Sequence, residues 1–400
     1  MRTLLIISTI LLLFSCNKEE ENELPILTEK HKSLVGASNA FGFNLYQEVA
    51  SNESADANII LSPLSVSTAL GMLLNGAKGQ TETSILNTLG LDLSTDENNA
   101  SVRDLLDFLP NVDTQVQTSI ANSIWYEESF NVIPEFIQVN QDNFDAEVSA
   151  LDFSDPNSVN LINSWVSNAT NDKIPLILES INSDERMFLI NAVYLNAPWA
   201  EAFDPNNTFS GQFQLENGTS ISTPMMHSED IEFAYVLNSD VEMINLPYGN
   251  GAYSFTAILP APGKTIQETE ALLNPTNLKN WQSSLSTAHS LHLNFPKFEL
   301  EFESSLKEAL SALGMGIAFS DQADLSGINE EGGLLVTEVK HKCYIKLDEA
   351  GTEAAGATSI GVGVTSVPPT VSFDKAFLFV ISESNTGAIL FMGRISNPNP

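Results

Sequence analysis

Residues 349–358, Glu-Ala-Gly-Thr-Glu-Ala-Ala-Gly-Ala-Thr, constrain the fold of this 400-residue chain more than any other stretch. They lie between two strand-like segments, 343–347 and 371–381. Ala354, Ala355, Gly356 and Ala357 contribute almost no side chain. Gly, Ala and acidic residues are depleted in ordinary strands. Yet the stretch runs straight on from a strand without a tight-turn pair such as Asn-Gly or Asp-Gly. Two fates fit such a segment. It stays exposed as a loop, or it slides edge-on between two strands without steric conflict.

Four hundred residues exceed the roughly 250–300 at which single hydrophobic cores stop growing, so one large domain and two domains are both open on length. A hydrophobic fraction of 43% is that of a folded soluble chain. The formal net charge of −34 leaves too few Lys and Arg to neutralise a phosphate backbone. Nucleic acid and heparin-like polyanions are therefore not expected as partners. The acidity reads as a solvated, repulsive surface, and the expected form is a monomer.

At the N-terminus Arg2 precedes an apolar run, residues 4–14, too short to span a bilayer as a mature helix. It fits the core of a secretory signal. The run ends in Leu13-Phe14-Ser15-Cys16, which resembles a bacterial lipoprotein cleavage box. That resemblance implies cutting after Ser15 and lipidation of the Cys16 thiol. On the plainer reading a cleaved signal leaves a free cysteine. The following Asn-Lys-Glu-Glu-Glu-Asn-Glu-Leu-Pro is acidic and aperiodic, so it reads as a tether. A Lys followed by acids also resembles the surface-export signal of some Gram-negative outer-membrane lipoproteins. The expected organisation is a signal peptide at 1–15, a lipidated Cys16 and tether at 16–33, and a folded domain at 34–400. The expected location is the outer-membrane surface. Cys343, the only other cysteine, reads as a small buried hydrophobe.

Apolar spacing predicts helices at 36–49, 82–89, 134–143 and 158–170, the last with Leu161, Ile162, Trp165 and Val166 inward. Ser62-Pro63 reads as a cap and first helical residue, opening a helix through Asn75. A helix at 305–313 should stop at Gly314. Residues 92–99 read as a polar loop. Strands are expected at 58–61, 117–125, 147–153, 188–195, 231–236, 242–247, 254–259, 289–295 and 334–346, with a closing hairpin at 376–381 and 387–392. Helices early and strands late, without βαβ alternation, predict an α+β fold with antiparallel sheets in one domain.

Catalytic patterns are missing from the linear sequence. His31, His227, His289, His292 and His341 form no His-Glu-x-x-His pattern, and no Cys/His cluster has zinc spacing. There is no Gly-x-Ser-x-Gly elbow and no phosphate loop. Gly361-x-Gly363 precedes Ser-Val-Pro-Pro rather than a helix. The expectation is a protein that is not an enzyme, with no cofactor and no metal.

The small-residue stretch has a wider context. Lys340-His341-Lys342, then Asp348-Glu349-Ala350-Gly351-Thr352-Glu353-Ala354-Ala355, resembles the reactive-loop hinge of the serpins. The C-terminal Phe391-Met392-Gly393-Arg394-Ile395-Ser396-Asn397-Pro398 resembles the same family's end. Asn58-Ile59-Ile60-Leu61-Ser62-Pro63-Leu64-Ser65, Asn191-Ala192-Val193-Tyr194-Leu195 with Trp199, Leu246-Pro247-Tyr248, Asn294-Phe295-Pro296-Lys297-Phe298 and Ala323-Asp324-Leu325-Ser326-Gly327-Ile328 add to it in the family's order. Each is weak alone; the ordered set is specific. The resemblance implies a serpin fold, a single domain of three β-sheets and about nine helices with an exposed reactive-centre loop. It implies the family's known mechanism, in which a protease cuts the loop, is held as an acyl-enzyme, and is carried as the loop inserts into the central sheet.

Under that resemblance the hinge comprises Glu349, Gly351, Thr352, Glu353, Ala354, Ala355, Gly356, Ala357 and Thr358. Inserted as a strand, Thr352, Ala354, Gly356, Thr358, Ile360 and Val362 would share one face, and Glu353, Ala355, Ala357 and Ser359 the other. The first set is small or apolar and suits a core; the second holds the only charge. Roughly ten new backbone hydrogen bonds at a net ~0.5–1.5 kcal/mol each would supply on the order of 10 kcal/mol. The resemblance further implies that Ser62, Ser65, Asn191 and His341 form a polar cluster where the central strands part, and that Trp199 lies where the loop enters. Locally, Ser62 is a helix cap, His341 a satisfied strand histidine and Trp199 core packing.

The family's hinge-to-cut spacing places the reactive bond between Thr365 and Ser366, with Val364 and Thr365 as the alternative pair. Residues 356–367 hold no Lys, Arg or aromatic side chain, which a trypsin-like or chymotrypsin-like pocket requires. The expected target is an elastase-like or subtilisin-like serine protease, with a cysteine protease as the second class. The competing reading is a non-inhibitory serpin acting as a binding or structural surface protein. Ala350, Gly356 and Ala376 depart from the family pattern, but none places proline or bulk in the inserting stretch.

Overall fold

Three strands read as near-continuous apolar runs, and burial on both faces is the reason. They are β9 (Tyr253–Pro260), β16 (Phe377–Glu383) and β17 (Ile389–Ile395), buried along their whole length. In this computed structural model, which describes residues 27–229, 231–288, 291–352 and 369–399, they form the middle of a seven-stranded antiparallel sheet. Its remaining strands are β1 (Ile59–Leu61), β7 (Ala234–Leu237), β8 (Val241–Tyr248) and β10 (Ser286–Thr287), in the order β1-β17-β16-β9-β8-β7-β10. Phe255 and Phe379 stack across β9 and β16 with ring centres 5.5 Å apart.

A second sheet has the order β15-β11-β6-β5. It joins β15 (Thr370–Ser372), β11 (His292–Pro296), β6 (Ser220–Ser228) and β5 (Phe209–Gln214), and β15 runs parallel to β11. The third sheet has six strands. They are β12 (Phe298–Ser305), β13 (Lys340–Asp348), β14 (Gly351–Thr352), β4 (Met187–Pro198), β2 (Gln117–Glu127) and β3 (Ala146–Leu151), in that order.

Nine α-helices are found among the described residues. They are α1 (Glu29–Asn52), α2 (Pro63–Leu74), α3 (Gly79–Leu89), α4 (Thr95–Phe108), α5 (Pro134–Phe144), α6 (Asn157–Ala169), α7 (Ile266–Leu272), α8 (Pro275–Ser283) and α9 (Lys307–Leu310). The three sheets and these nine helices make the α+β architecture expected from the sequence.

Several local expectations need correction. Residues 92–99 are not all loop: α4 starts at Thr95, because Ser94 and Glu97 cap each other in a reciprocal box that closes its first turn. Helix α1 begins at Glu29, inside the stretch read as tether. Its first turn is held by polar contacts, Thr28 N–H to His31 Nδ1 at 2.8 Å and Lys30 to Glu97 at 2.9 Å, which leave no apolar signal. Leu161 points out of α6 and is 53% exposed, while Ile162 and Val166 pack under it against Trp125 and Ile190. The strand expected from residue 334 starts only at Lys340. The helix near Gly314 keeps regular α geometry only over α9, then departs from it until Gly314 turns at φ +108°.

The C-terminal strand is tied down by a buried ion pair. Arg394 on β17 donates from Nη1 to both carboxylate oxygens of Glu270 on α7, each at 3.0 Å. Its Nη2 and Nε bond the carbonyls of Ser54 and Ala57. Tyr46 of α1 donates its hydroxyl to Glu270 Oε1 at 2.5 Å. Each charge is neutralised and hydrogen-bonded, so removing one partner strands the other. Arg394→Met and Glu270→Gln are each expected to cost about 3–5 kcal/mol in denaturant unfolding. An unchanged midpoint would show that the pair does not hold β17.

Candidate functional site

The chain reverses direction where β13 ends. Asp348 pairs with Gly351 and Leu347 with Thr352, so Glu349 and Ala350 form a two-residue turn. Such turns usually use Asn-Gly or Asp-Gly. Here outside contacts replace turn propensity. Glu349 is buried; its Oε2 meets Lys297 Nζ at 2.6 Å and its Oε1 accepts from Thr208 Oγ1 at 2.6 Å. Its carbonyl accepts from Phe203 N–H at 2.9 Å. Burial pushes the Glu349 carboxyl up, but Lys297 and Thr208 outweigh it and hold the group below its ordinary range. Ala350 N–H donates to Asp348 Oδ1 at 2.9 Å.

Gly351 has φ +144°, a conformation L side chains rarely adopt. A Cβ there would lie 2.2 Å from the Ala197 carbonyl oxygen. The close approach exists because β14 sits between two strands. Thr352 pairs with Leu347 of β13 on one side and Ala197 of β4 on the other. Its side chain is buried, and Thr352 Oγ1 lies 2.6 Å from the Tyr248 hydroxyl. Burial pushes the Tyr248 phenol far above its ordinary value, so it stays a neutral hydroxyl. Tyr248 stacks on Trp199 with ring centres 4.5 Å apart. Trp199 in turn donates from Nε1 to the Asp348 carbonyl at 3.0 Å and from its backbone N–H to Ala350 O at 2.9 Å. Trp199 thus touches the turn directly, beyond simple core packing.

A second group of predicted residues meets beneath the same sheet. Ser62 caps α2, accepting at Oγ from Ser65 N–H at 3.3 Å. Ser62 N–H donates to His341 Nε2 at 3.1 Å. Ser65 Oγ donates to Asn191 Oδ1. Asn191 Nδ2 donates to Asn122 Oδ1 at 2.6 Å, and Asn122 Nδ2 to the Phe144 carbonyl at 2.6 Å. Cys343 Sγ lies 3.1 Å from His341 Nε2; burial raises its thiol, which leaves it inert as well as hidden.

The structure therefore brings together Glu349, Gly351, Thr352 and Trp199 in one group, and Ser62, Ser65, Asn191 and His341 in another. Glu353, Ala354, Ala355, Gly356, Ala357, Thr358, Val364, Thr365, Ser366 and Cys16 lie outside the described residues. Reading the sequence assigned no role at the turn to Tyr248 or Lys297, which it met only in motifs, and missed Thr208 there and Asn122 beside Asn191. Asn122 shares the strand parity of Ile120 and Ile124 in β2, a signal of a polar group on an apolar face needing a partner.

Known proteins share this arrangement of elements. The family profile described as Serpin (serine protease inhibitor) matches residues 36–398. The chain belongs to the serpin family. Serpins in general inhibit proteases rather than catalyse, although some members are non-inhibitory. A curated serine protease inhibitor of Mus musculus is 33% identical, over 96% of this chain and 95% of that protein. Among solved structures, human thyroxine-binding globulin in complex with thyroxine is 29% identical with a TM-score of 0.85, covering 93% of this chain and 100% of that one. The thermophilic serpin tengpin in its native state is 29% identical with a TM-score of 0.83, covering 94% of this chain and 96% of that one.

The His341 contact carries a pH signature. Burial pushes its imidazole down to about 4. An unfolded histidine takes its proton near 6.5. Between these values the unfolded chain binds more protons, so stability rises with pH across that window. The contribution is complete above about pH 6.5, is lost as pH falls towards about 4, and is on the order of 3 kcal/mol. Gln at position 341 keeps an acceptor for Ser62 N–H but does not titrate. Urea unfolding of wild type and His341→Gln between about pH 4 and 7 is expected to show the steeper slope in wild type. Parallel slopes would place the acid sensitivity elsewhere.

Proposed function

We propose that this serpin is a membrane-anchored suicide-substrate inhibitor of serine proteases with small-residue specificity. The observation that supports this best is the seat of Thr352. A threonine two residues past the turn is buried and paired on both sides, between β13 and β4. The sequence beyond it, from Glu353 to Val362, carries one charge and no large ring. A segment of that composition continuing the ladder would meet no steric barrier, and each added rung brings backbone hydrogen bonds. Ser62, Ser65, Asn191 and His341 would act where β13 and β4 part, because α2 holds one residue on each strand. Trp199 would guide the entry of the loop.

The bait is assigned to Thr365 and Ser366, with cleavage between Val364 and Thr365 as the neighbouring choice. Small side chains suit an elastase-like or subtilisin-like pocket, and one methylene discriminates only about 1–3 kcal/mol between adjacent bonds. The domain assignment is a signal peptide at 1–15, a lipidated Cys16 with an acidic tether, and the serpin domain beyond it. Two acyl chains on Cys16 would anchor the protein at the outer-membrane surface where one would not. Replacing Cys16 with Ala should move the protein from the membrane fraction to the soluble one; retention at the membrane would remove the anchor from this reading.

Incubation with an elastase, read on a denaturing gel, decides the central claim. A covalent complex of the protease with the serpin is the expected product. Cleavage of the loop without a complex would favour a non-inhibitory member of the family. Thr352→Arg puts a charge at a position that is 3% exposed. It should turn the inhibitor into a substrate, with the complex falling at least about tenfold, as loss of roughly 1.4 kcal/mol or more from the insertion step would give. A Thr352→Arg protein that still traps protease would contradict the insertion argument.

A further inference from the structure

Two strands of the four-stranded sheet place three metal-ligating side chains on one face. Leu293 pairs with Ser228 and Asn294 with His227, so His292 stands opposite Glu229. Side chains alternate along a strand, which puts His227, Glu229, His292 and Asn294 on the same side. One ligand atom from each of His227, Glu229 and His292 lies within 4.8 Å of the other two. His227 Nε2 is 3.6 Å from Glu229 Oε1, and the two imidazole rings are 5.6 Å apart.

The surroundings select a tautomer. Asn294 Oδ1 accepts from His227 Nδ1–H at 2.7 Å, which leaves the lone pair on Nε2 facing the cluster. A histidine oriented from its far nitrogen in this way is the usual support of a zinc ligand. His292 is buried, His227 partly so, and Glu229 is half-exposed, giving a rigid base and an open side. Two nitrogens and one carboxylate oxygen, each about 2.0–2.2 Å from an ion, would stand a little over ~3 Å from one another in a tetrahedron. Neither strand shows this in sequence, since His227 and His292 are 65 residues apart and only the register joins them.

We propose that His227, Glu229 and His292 form a divalent-cation site of the zinc class, with water in the fourth position. The site bears on β15, the strand that follows the reactive loop. His292 pairs with Thr370 of β15, and Asn294 Nδ2 lies 3.5 Å from Ser372 Oγ. An ion there braces β6 against β11 and, through Asn294 and His292, steadies the attachment of β15.

The test uses the full chain and the metal alone. Zn²⁺ is titrated by calorimetry in the presence of a weak chelator, and Co²⁺ by visible absorption. The expected result is a single saturating ion per chain, a tetrahedral Co²⁺ spectrum, and a higher melting temperature with Zn²⁺. Glu229→Gln, on the exposed side, should abolish stoichiometric binding while leaving the metal-free melting temperature unchanged, and His227→Asn should abolish binding as well. Asn294→Ala should weaken binding by about tenfold or more, as loss of an orienting partner does. Glu301→Gln, which removes an acid from another sheet, should bind as wild type. Binding that survives in both Glu229→Gln and His227→Asn would assign the ion to the acidic surface and overturn the proposal. So would no saturable binding in the wild type.

Discussion

Much of this structure turns on two rungs of a β-ladder. Thr352 and Gly351 are hydrogen-bonded partners of β13 on one side and of β4 on the other. All three sheets converge to hold them. Tyr248, which contacts Thr352, ends β8 of the seven-stranded sheet. Lys297, which neutralises Glu349, sits between the end of β11 in the four-stranded sheet and the start of β12 in the six-stranded one. Trp199 follows β4 and stacks on Tyr248. The turn is therefore over-determined from outside, and Glu-Ala can occupy a place that isolated hairpins give to Asn-Gly.

The polar cluster under the sheet complements that arrangement. The first turn of α2 clasps both strands that flank β14, His341 of β13 through Ser62 and Asn191 of β4 through Ser65. An apolar contact at this place would be non-directional and tolerant of sliding. Hydrogen bonds are not, and a buried one left unmade costs about 1–3 kcal/mol. Separation of β13 from β4 must therefore remake particular bonds. His341 makes the arrangement sensitive to acid, because its Nε2 must stay unprotonated to accept from Ser62.

The fold was legible wherever one local signal was strong. Ser62-Pro63 announced α2 by its cap and its proline, and the segments 254–259, 376–381 and 387–392 announced the strands β9, β16 and β17. What stayed hidden depended on partners distant in sequence. The start of α1 rests on Thr28, His31 and Glu97, and α4 on a capping box inside an acidic stretch. Leu161 matched the helical period but faces solvent, since the apolar stripe of α6 is narrower than its spacing implied. At the site, Glu349 and Trp199 were readable through their motifs. Tyr248 and Lys297 had motif matches as well, but their roles appear only when three sheets meet. Asn122 is joined to Asn191 by the pairing of β2 with β4 alone.

Register then carries the functional argument one step further. Side chains alternate faces along a strand, so the burial of Thr352 sets the parity of any strand that continues from it. In phase with Thr352, the core face would receive Ala354, Gly356, Thr358, Ile360 and Val362. A slip of one residue would instead turn Glu353 inward, and a buried unpaired carboxylate is a cost that backbone rungs worth ~0.5–1.5 kcal/mol each offset slowly. Gly351 guards against that slip, because no other residue fits 2.2 Å from the Ala197 carbonyl at φ +144°. The same two residues thus set where a new strand would begin and which of its faces would meet the core.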